Sequence, residues 1–455
     1  MTERMTYAAH GRALLALGLP LIGSNLAQMA LHVTDTVMVG WYGITELAAV
    51  VLGASTFFVL FILGSGFAQA VMPMVATALG RGDETQVRRD TRMGLWLSIL
   101  YGVAIYPAMF WSGPILRSLG QEEQVAALAQ DYLRVAGAGM VPALLIMALK
   151  SYLSALERAG VVLWATLAGV VLNTGLNWAL IFGHWGAPEL GVKGAAIASV
   201  ATQILTLAVM AVYAEFHPAL RRFHLFQRFW RPDWPALHQV YRLGWPIGLT
   251  GLFEGGLFSA AAVMMGWIGT MELAAHGIAL ELVAITFMAH LGLSNAATVR
   301  AGRAQGAGDF AALKGGAVTA IGLSLAVAAM VVAVFLAVPE SLVRLFIDRA
   351  NPQAPAITAY ASTLLAVAAL FQLADSTQVM ALGLLRGVQD TRVPMVIASV
   401  SYWLIGIPAS YVLAFPLSLG GTGLWLGLVV GLAVAAAALM ARFWGRWGRE
   451  AARAG

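Results

Sequence analysis

Twelve long runs with almost no charged side chain follow one another along this chain. They lie near 14–40, 46–72, 93–113, 133–153, 160–182, 192–214, 242–267, 274–297, 315–338, 357–382, 393–415 and 420–441. About 20 apolar residues cross the ~30 Å hydrocarbon core of a bilayer as a helix, and there every backbone polar group must be bonded within the protein. The expected class is therefore an all-α integral membrane protein. Charged residues make up 11% of the chain, against roughly 25% in a soluble domain. Arg4 and Arg12 before the first run imitate a signal peptide. The apolar stretch continues to about Val39, longer than an h-region of about 7–15 residues, so it reads as a retained first span.

Lys and Arg set the orientation. With the amino terminus inside, 22 of the 27 fall in cytoplasmic segments, and only Arg117, Arg134, Lys193, Arg344 and Arg349 fall outside. A positive-inside bias of that size would collapse if one span were missing, so both termini are expected in the cytoplasm. The net charge of +5 then reflects topology, and no nucleic-acid partner is implied. The Arg-Gly-Asp at 81–83 reads as a cytoplasmic loop. With no Cys in the chain, disulfides and thiolate chemistry are excluded.

The sequence repeats. Val39-Gly-Trp-Tyr-Gly-Ile-Thr-Glu-Leu-Ala-Ala49 and Met265-Gly-Trp-Ile-Gly-Thr-Met-Glu-Leu-Ala-Ala275 share Gly, Trp, Gly, Glu, Leu, Ala and Ala at an offset of 226. The same offset superposes Leu17-Gly-Leu-Pro20 on Leu243-Gly-Trp-Pro246, and Ala78-Leu-Gly-Arg-Gly-Asp83 on Ala304-Gln-Gly-Ala-Gly-Asp309. Gly191-Val-Lys-Gly194 echoes Gly420-Gly-Thr-Gly423 at 229. The expected organisation is two six-helix lobes, 1–214 and 242–455, joined by a cytoplasmic linker at 215–241. Six is even, so the halves insert in the same sense. This is a parallel repeat, as in transporters that bind substrate between two rocking halves; a duplication also suits a channel or a scaffold.

Charges inside the spans carry the functional signal, because a mid-bilayer carboxylate costs about 2.5–3.5 kcal/mol on insertion scales. Glu254 is the one ionisable group between Leu243 and Gly269. It lies roughly 18 Å of helix beyond Arg242, and Asp375 roughly 16 Å before Arg386 on a span running the other way. The two acids are thus expected at one depth. In the first half, Asp35 joins Asn173 and Asn177, which share a helix face at i, i+4. Either set, Glu254 with Asp375 or Asp35 with Asn173 and Asn177, could hold Na⁺ or a proton. Glu281 is an additional candidate, and Phe253 and Phe287 could face a cation with their rings. Blander readings are an acid hydrogen-bonded between helices, an interfacial Asp35 or Glu281, and interhelical packing bonds for the two asparagines. Gly255 and Gly256 are expected to leave room beside Glu254, and Gly423, Gly427 and Gly431 to form a packing stripe. Offset by 226, Glu254 falls on Gln28 and Asp35 on Ala261, so duplication alone does not explain the acids. GxxxxGK[ST], HExxH and GxSxG are all missing. Neither an enzyme nor an ATP-driven pump is supported, and an ion gradient would supply the energy.

On these residues the chain resembles the multidrug and toxic compound extrusion (MATE) family. The resemblance is carried by His32-Val-Thr-Asp-Thr-Val-Met-Val-Gly40, Arg300-Ala-Gly-Arg-Ala-Gln-Gly-Ala-Gly-Asp309, Phe371-Gln-Leu-Ala-Asp-Ser-Thr-Gln378 and the 381–394 stretch that follows. Acids at both 254 and 375 are similar to the NorM-type branch. The family implies two six-helix lobes around a cleft and export of amphiphilic organic cations in exchange for Na⁺ or H⁺. It also implies a bacterial inner-membrane location, no cofactor and a monomer working in the lipid bilayer. Asp35, Asn173 and Asn177 then fall on an amino-lobe cation site, Glu254 and Asp375 on a carboxy-lobe one. Asn177 stands where some members have Asp, and Glu281 where a neutral polar residue is common. The competing expectation is a flippase for a lipid-linked precursor of related architecture, though intramembrane acids suit a cation better than a polyanionic headgroup.

Overall fold

The computed structural model describes residues 5–347 and 352–448. Arg4, Arg349, Arg449 and Arg453 of the charge count lie outside the described residues. Among the described residues, twelve helices are long and apolar enough to span a bilayer: α1 (Tyr7–Tyr42), α2 (Ile44–Gly80), α3 (Glu84–Phe110), α4 (Glu123–Ala155), α5 (Ala159–Phe182), α6 (Gly191–Phe216), α7 (Trp234–Ile268), α8 (Thr270–Ala307), α9 (Phe310–Ala337), α10 (Ala354–Gly387), α11 (Arg392–Ala414) and α12 (Gly420–Trp447). No strand occurs among the described residues. Large apolar side chains are left bare, with Val171 at 75% and Leu404 at 70% exposure. Faces of that kind suit lipid rather than water.

The repeated motifs are the joints. Gly43 alone separates α1 from α2, and Gly269 alone separates α7 from α8. A Cβ at either glycine would run into the carboxylate three residues on, Glu46 or Glu272, which explains why Gly and Glu repeat together. In the second motif, Gly82 (φ 72°) and Gly308 (φ 68°) take the left-handed backbone that glycine adopts without a Cβ penalty. The next residue caps a helix: Asp83 Oδ1 accepts from Gln86 N at 2.9 Å, and Asp309 Oδ1 from Ala312 N at 2.8 Å.

The chain forms two compact units, 23–249 (the amino unit) and 1–22 with 250–455 (the carboxy unit). Helices α1 and α7 therefore each begin in one unit and finish in the other, changing shortly after Pro20 and Pro246. In the amino unit, α7 crosses α2 where Gly244 and Gly248 meet Leu63, Gly66 and Phe67, with a backbone approach that admits no Cβ. In the carboxy unit, α1 crosses α8 in the same way, with Gly18 against Leu293 and Gly292 against the backbone of Ile22. These contacts map onto one another at the offset of 226. The expected glycine stripe on α12 is also a packing face: Gly423, Gly427 and Gly431 lie against Leu413, Ser410 and Gly406 of α11.

Lys150, counted from sequence as a cytoplasmic charge, is buried (7% exposed) in α4 and donates to Asn25 Oδ1 of α1 at 2.7 Å.

Candidate functional site

In the amino unit α1, α5 and α6 gather three polar side chains around one acid, two of which bond it directly. Asn177 Nδ2 donates to Asp35 Oδ1 at 2.6 Å and to Asn173 Oδ1 at 3.0 Å, and Ser199 Oγ donates to Asp35 Oδ2 at 3.0 Å. The i, i+4 spacing of the asparagines aligns them on one face of α5, and both are fully buried. Asn177 Oδ1 and Asn173 Nδ2 are left buried without a partner. His32, one turn before Asp35 on α1, and Tyr132 of α4 both interact electrostatically with the carboxylate. The structure thus assembles the three residues named from sequence and adds Ser199, His32 and Tyr132. A serine in an apolar span is too common to stand out. His32 sits in the quoted motif, but nothing in its spacing marks it as part of a site.

In the carboxy unit Glu254 of α7 and Asp375 of α10 interact with each other, as their matched depths imply. Asp375 is 1% exposed. Both of its oxygens, Glu254 Oε1 and Gln378 Oε1 are buried acceptors without a donor. Gln378 spends its own amide on Tyr402, whose hydroxyl accepts from Nε2 at 2.5 Å. The cluster is therefore rich in acceptors and short of donors. Burying such oxygens is costly unless something positive or protic meets them.

Two further elements shape this cluster. Within α11 the stretch Val400–Gly406 is wound as a π-helix, a form often found at functional sites. It carries Tyr402, which acts on Glu254 and Asp375, and Trp403, whose Nε1 donates to the Phe253 carbonyl at 3.2 Å. The Trp403 ring fills the space beside Gly256, so that glycine accommodates an indole. Arg386, read from sequence as a boundary charge, acts on Glu254. It follows Asp375 by 11 residues, which at about 100° per residue returns to nearly the same face of α10. Glu281 and Phe287 are half-buried on α8, and Glu281 is not among the charges acting on Glu254 or Asp375. Beyond Asp375, Phe371 stacks edge-on with Phe258 (5.9 Å) and Trp425 (5.6 Å). Phe371 precedes Asp375 by one turn of α10, so these rings pack directly beside the acid.

Among the described residues no three His, Cys, Asp or Glu side chains gather as a metal-binding group. One or two carboxylates with neutral amide oxygens suit a hard monovalent cation or a proton better than a transition metal.

The MatE family model matches residues 20–179 and 246–412, two copies whose first residues are 226 apart. Proteins named "Probable multidrug resistance protein NorM" are 49% identical in Rhizobium meliloti (strain 1021), over 96% of this chain and 94% of that one. In Pseudomonas putida (strain KT2440) the identity is 39% over 98% and 96%. In fold the chain is similar to the eukaryotic MATE transporter AtDTX14, with a TM-score of 0.87 at 21% identity over 98% of each chain. It is equally similar to an outward-facing multidrug resistance MATE family transporter of the MOP superfamily, with a TM-score of 0.88 at 22% identity over 97% and 96%.

Proposed function

Because the chain belongs to the MatE family, whose model spans both of its halves, we propose that it is a cation-coupled antiporter exporting amphiphilic organic cations by alternating access. Membership makes it a multi-pass membrane transporter and not an enzyme, and its relatives bear the name of a multidrug resistance protein. The finer reading rests on one observation: Asp375 is almost fully buried, and neither of its oxygens has a donor. A carboxylate without water or a partner is costly as an anion. A proton or a cation from outside the chain relieves that cost, and the two exclude one another. Exchange then needs no covalent step, only two conformations whose balance shifts with the occupant's differential affinity. Glu254 and Asp375 supply one such site. Asp35 with Asn173, Asn177 and Ser199 supplies a second, in which the spare Asn177 oxygen adds an acceptor. Na⁺ and H⁺ are both candidate coupling ions. The location we propose is the bacterial inner membrane with both termini cytoplasmic, because the basic residues keep their bias even without Lys150 and Arg386.

The test is ethidium efflux in proteoliposomes under an imposed Na⁺ gradient and, separately, an imposed pH gradient. We expect at least one gradient to drive it, and Glu254→Gln or Asp375→Asn to reduce it at least tenfold. Wild-type rates in both variants would refute the carboxy-unit site. Flux that shows no trans-stimulation would refute an exchanger.

A further inference from the structure

The connection between α6 and α7, residues 217–233, packs five cationic or ionisable side chains into eleven residues: Arg221, Arg222, His224, Arg228 and Arg231. A positive-inside bias requires only that such residues be present. It does not require them to be fixed in place, and here they are. Leu220, Phe223 and Leu225 are plugged into the amino unit at 1–2% exposure. Arg92 donates to the carbonyls of Gln227 (3.3 Å) and Arg228 (3.2 Å), and Trp96 Nε1 to that of Phe229 (2.7 Å). The Phe229 ring stacks on Trp96 at 5.7 Å, and Asp233 is held by Arg89. Between these anchors the backbone takes left-handed conformations at His224 (φ 46°) and Arg228 (φ 54°), which non-glycine residues rarely adopt. A segment pinned this firmly nevertheless leaves all five of those side chains exposed.

Arg222 is shared with Glu84 at 3.2 Å. Arg221, Arg228 and Arg231 form no ion pair with an acid among the described residues. At the matching end of α12, by contrast, Arg442 and Arg446 both engage Asp390. The same stretch exposes aromatic side chains: Trp230 (74%) within the connection, and Phe216 (72%) and Trp234 (68%) at the ends of two membrane-length helices. Tryptophan favours the headgroup level of a bilayer, and guanidinium groups match the oxygens of a phosphodiester. Clusters of this kind next to a spanning helix attract anionic lipid.

We propose that the 217–233 connection is a docking site for anionic phospholipid headgroups of the surrounding bilayer, with Arg221, Arg228 and Arg231 meeting the phosphate and Trp230 the acyl boundary. The site lies within the amino unit, whose residues 23–249 include the whole connection.

The experiment is native mass spectrometry of the purified full chain with added phosphatidylglycerol or phosphatidylcholine of the same acyl chains. Wild type should retain phosphatidylglycerol several-fold over phosphatidylcholine. Arg221→Gln/Arg228→Gln/Arg231→Gln should bring that ratio close to one, while Arg117→Gln/Arg344→Gln, with charges removed from other loops, should leave it unchanged. The corresponding triple Lys variant should keep a reduced preference, and gel filtration shows whether each variant folds. Equal lipid ratios in wild type and the triple Gln variant would overturn the proposal. So would displacement of the lipid by millimolar inorganic phosphate, or a patch that captures a soluble protein instead of lipid.

Discussion

Arg386 supplies Glu254 with a positive charge that never leaves the protein, so in the proposed exchange a transported cation competes with a resident one. At an effective dielectric of about 20 such a charge still acts over several ångströms. Removing it should make the site bind external cations more tightly and release them more slowly. Arg386→Gln is therefore expected to lower the half-saturating ethidium concentration several-fold and to lower the maximal efflux rate with it. Arg386→Lys should stay near wild type. Concentration series at fixed pH separate the two parameters, and an unchanged pair in Arg386→Gln would show that the guanidinium does not act on the site. Glu254, Asp375 and Asp35 were legible in the sequence because charge inside an apolar run is expensive. Arg386 was not, because an arginine one residue before the end of a span looks like an ordinary boundary charge. Tyr402 and Gln378 were hidden for another reason: uncharged polar groups in a span usually serve helix packing, and the π-turn that carries Tyr402 leaves no mark in the sequence.

At the scale of elements, the repeat motifs form the joints between helices, and Gly43, Gly269, Gly82 and Gly308 each have a steric cause there. Gly66→Ala places a methyl group against the α7 backbone at Gly244 and Gly248. Overpacking of this kind costs about 1–3 kcal/mol. Thermal unfolding in detergent should fall clearly for that variant but not for Gly160→Ala, whose Cβ would meet nothing within 4 Å. The linker attachment has its own signature. The hydrogen bond from Arg89 holds the Asp233 carboxyl below its ordinary value. A depressed native pKa stabilises the fold above the unfolded value near 3.9, and that contribution is lost as pH falls through the native one. Arg89 is 38% exposed, so the pair contributes at most about 1 kcal/mol. Asp233→Asn should therefore melt slightly earlier than wild type at about pH 7, with the gap narrowing as pH falls below the unfolded value of about 3.9. The linker's left-handed turns at His224 and Arg228 were not legible, because neither residue type announces them. They follow from the anchors on α3.

For the molecule as a whole, span count and helical class followed from hydrocarbon thickness alone, and the duplication from a fixed offset. Which stretch of α1 and α7 joins which unit did not, since the apolar runs continue unbroken past Pro20 and Pro246. That division has a consequence for how the protein is made. The segment ending at Ile22 leaves the ribosome 270 residues before its packing partner Gly292. At about 5–20 residues per second, the delay is roughly 15–50 s. During it, the first turns of α1 sit in the membrane with their glycine face uncovered, available to any insertion factor or neighbouring nascent chain. The chain has no native cysteine, so a lone Leu14→Cys can report on this wait. The thiol should react with maleimide in nascent chains arrested near residue 260 and become protected in those arrested near 340, when the second half arrives to cover it.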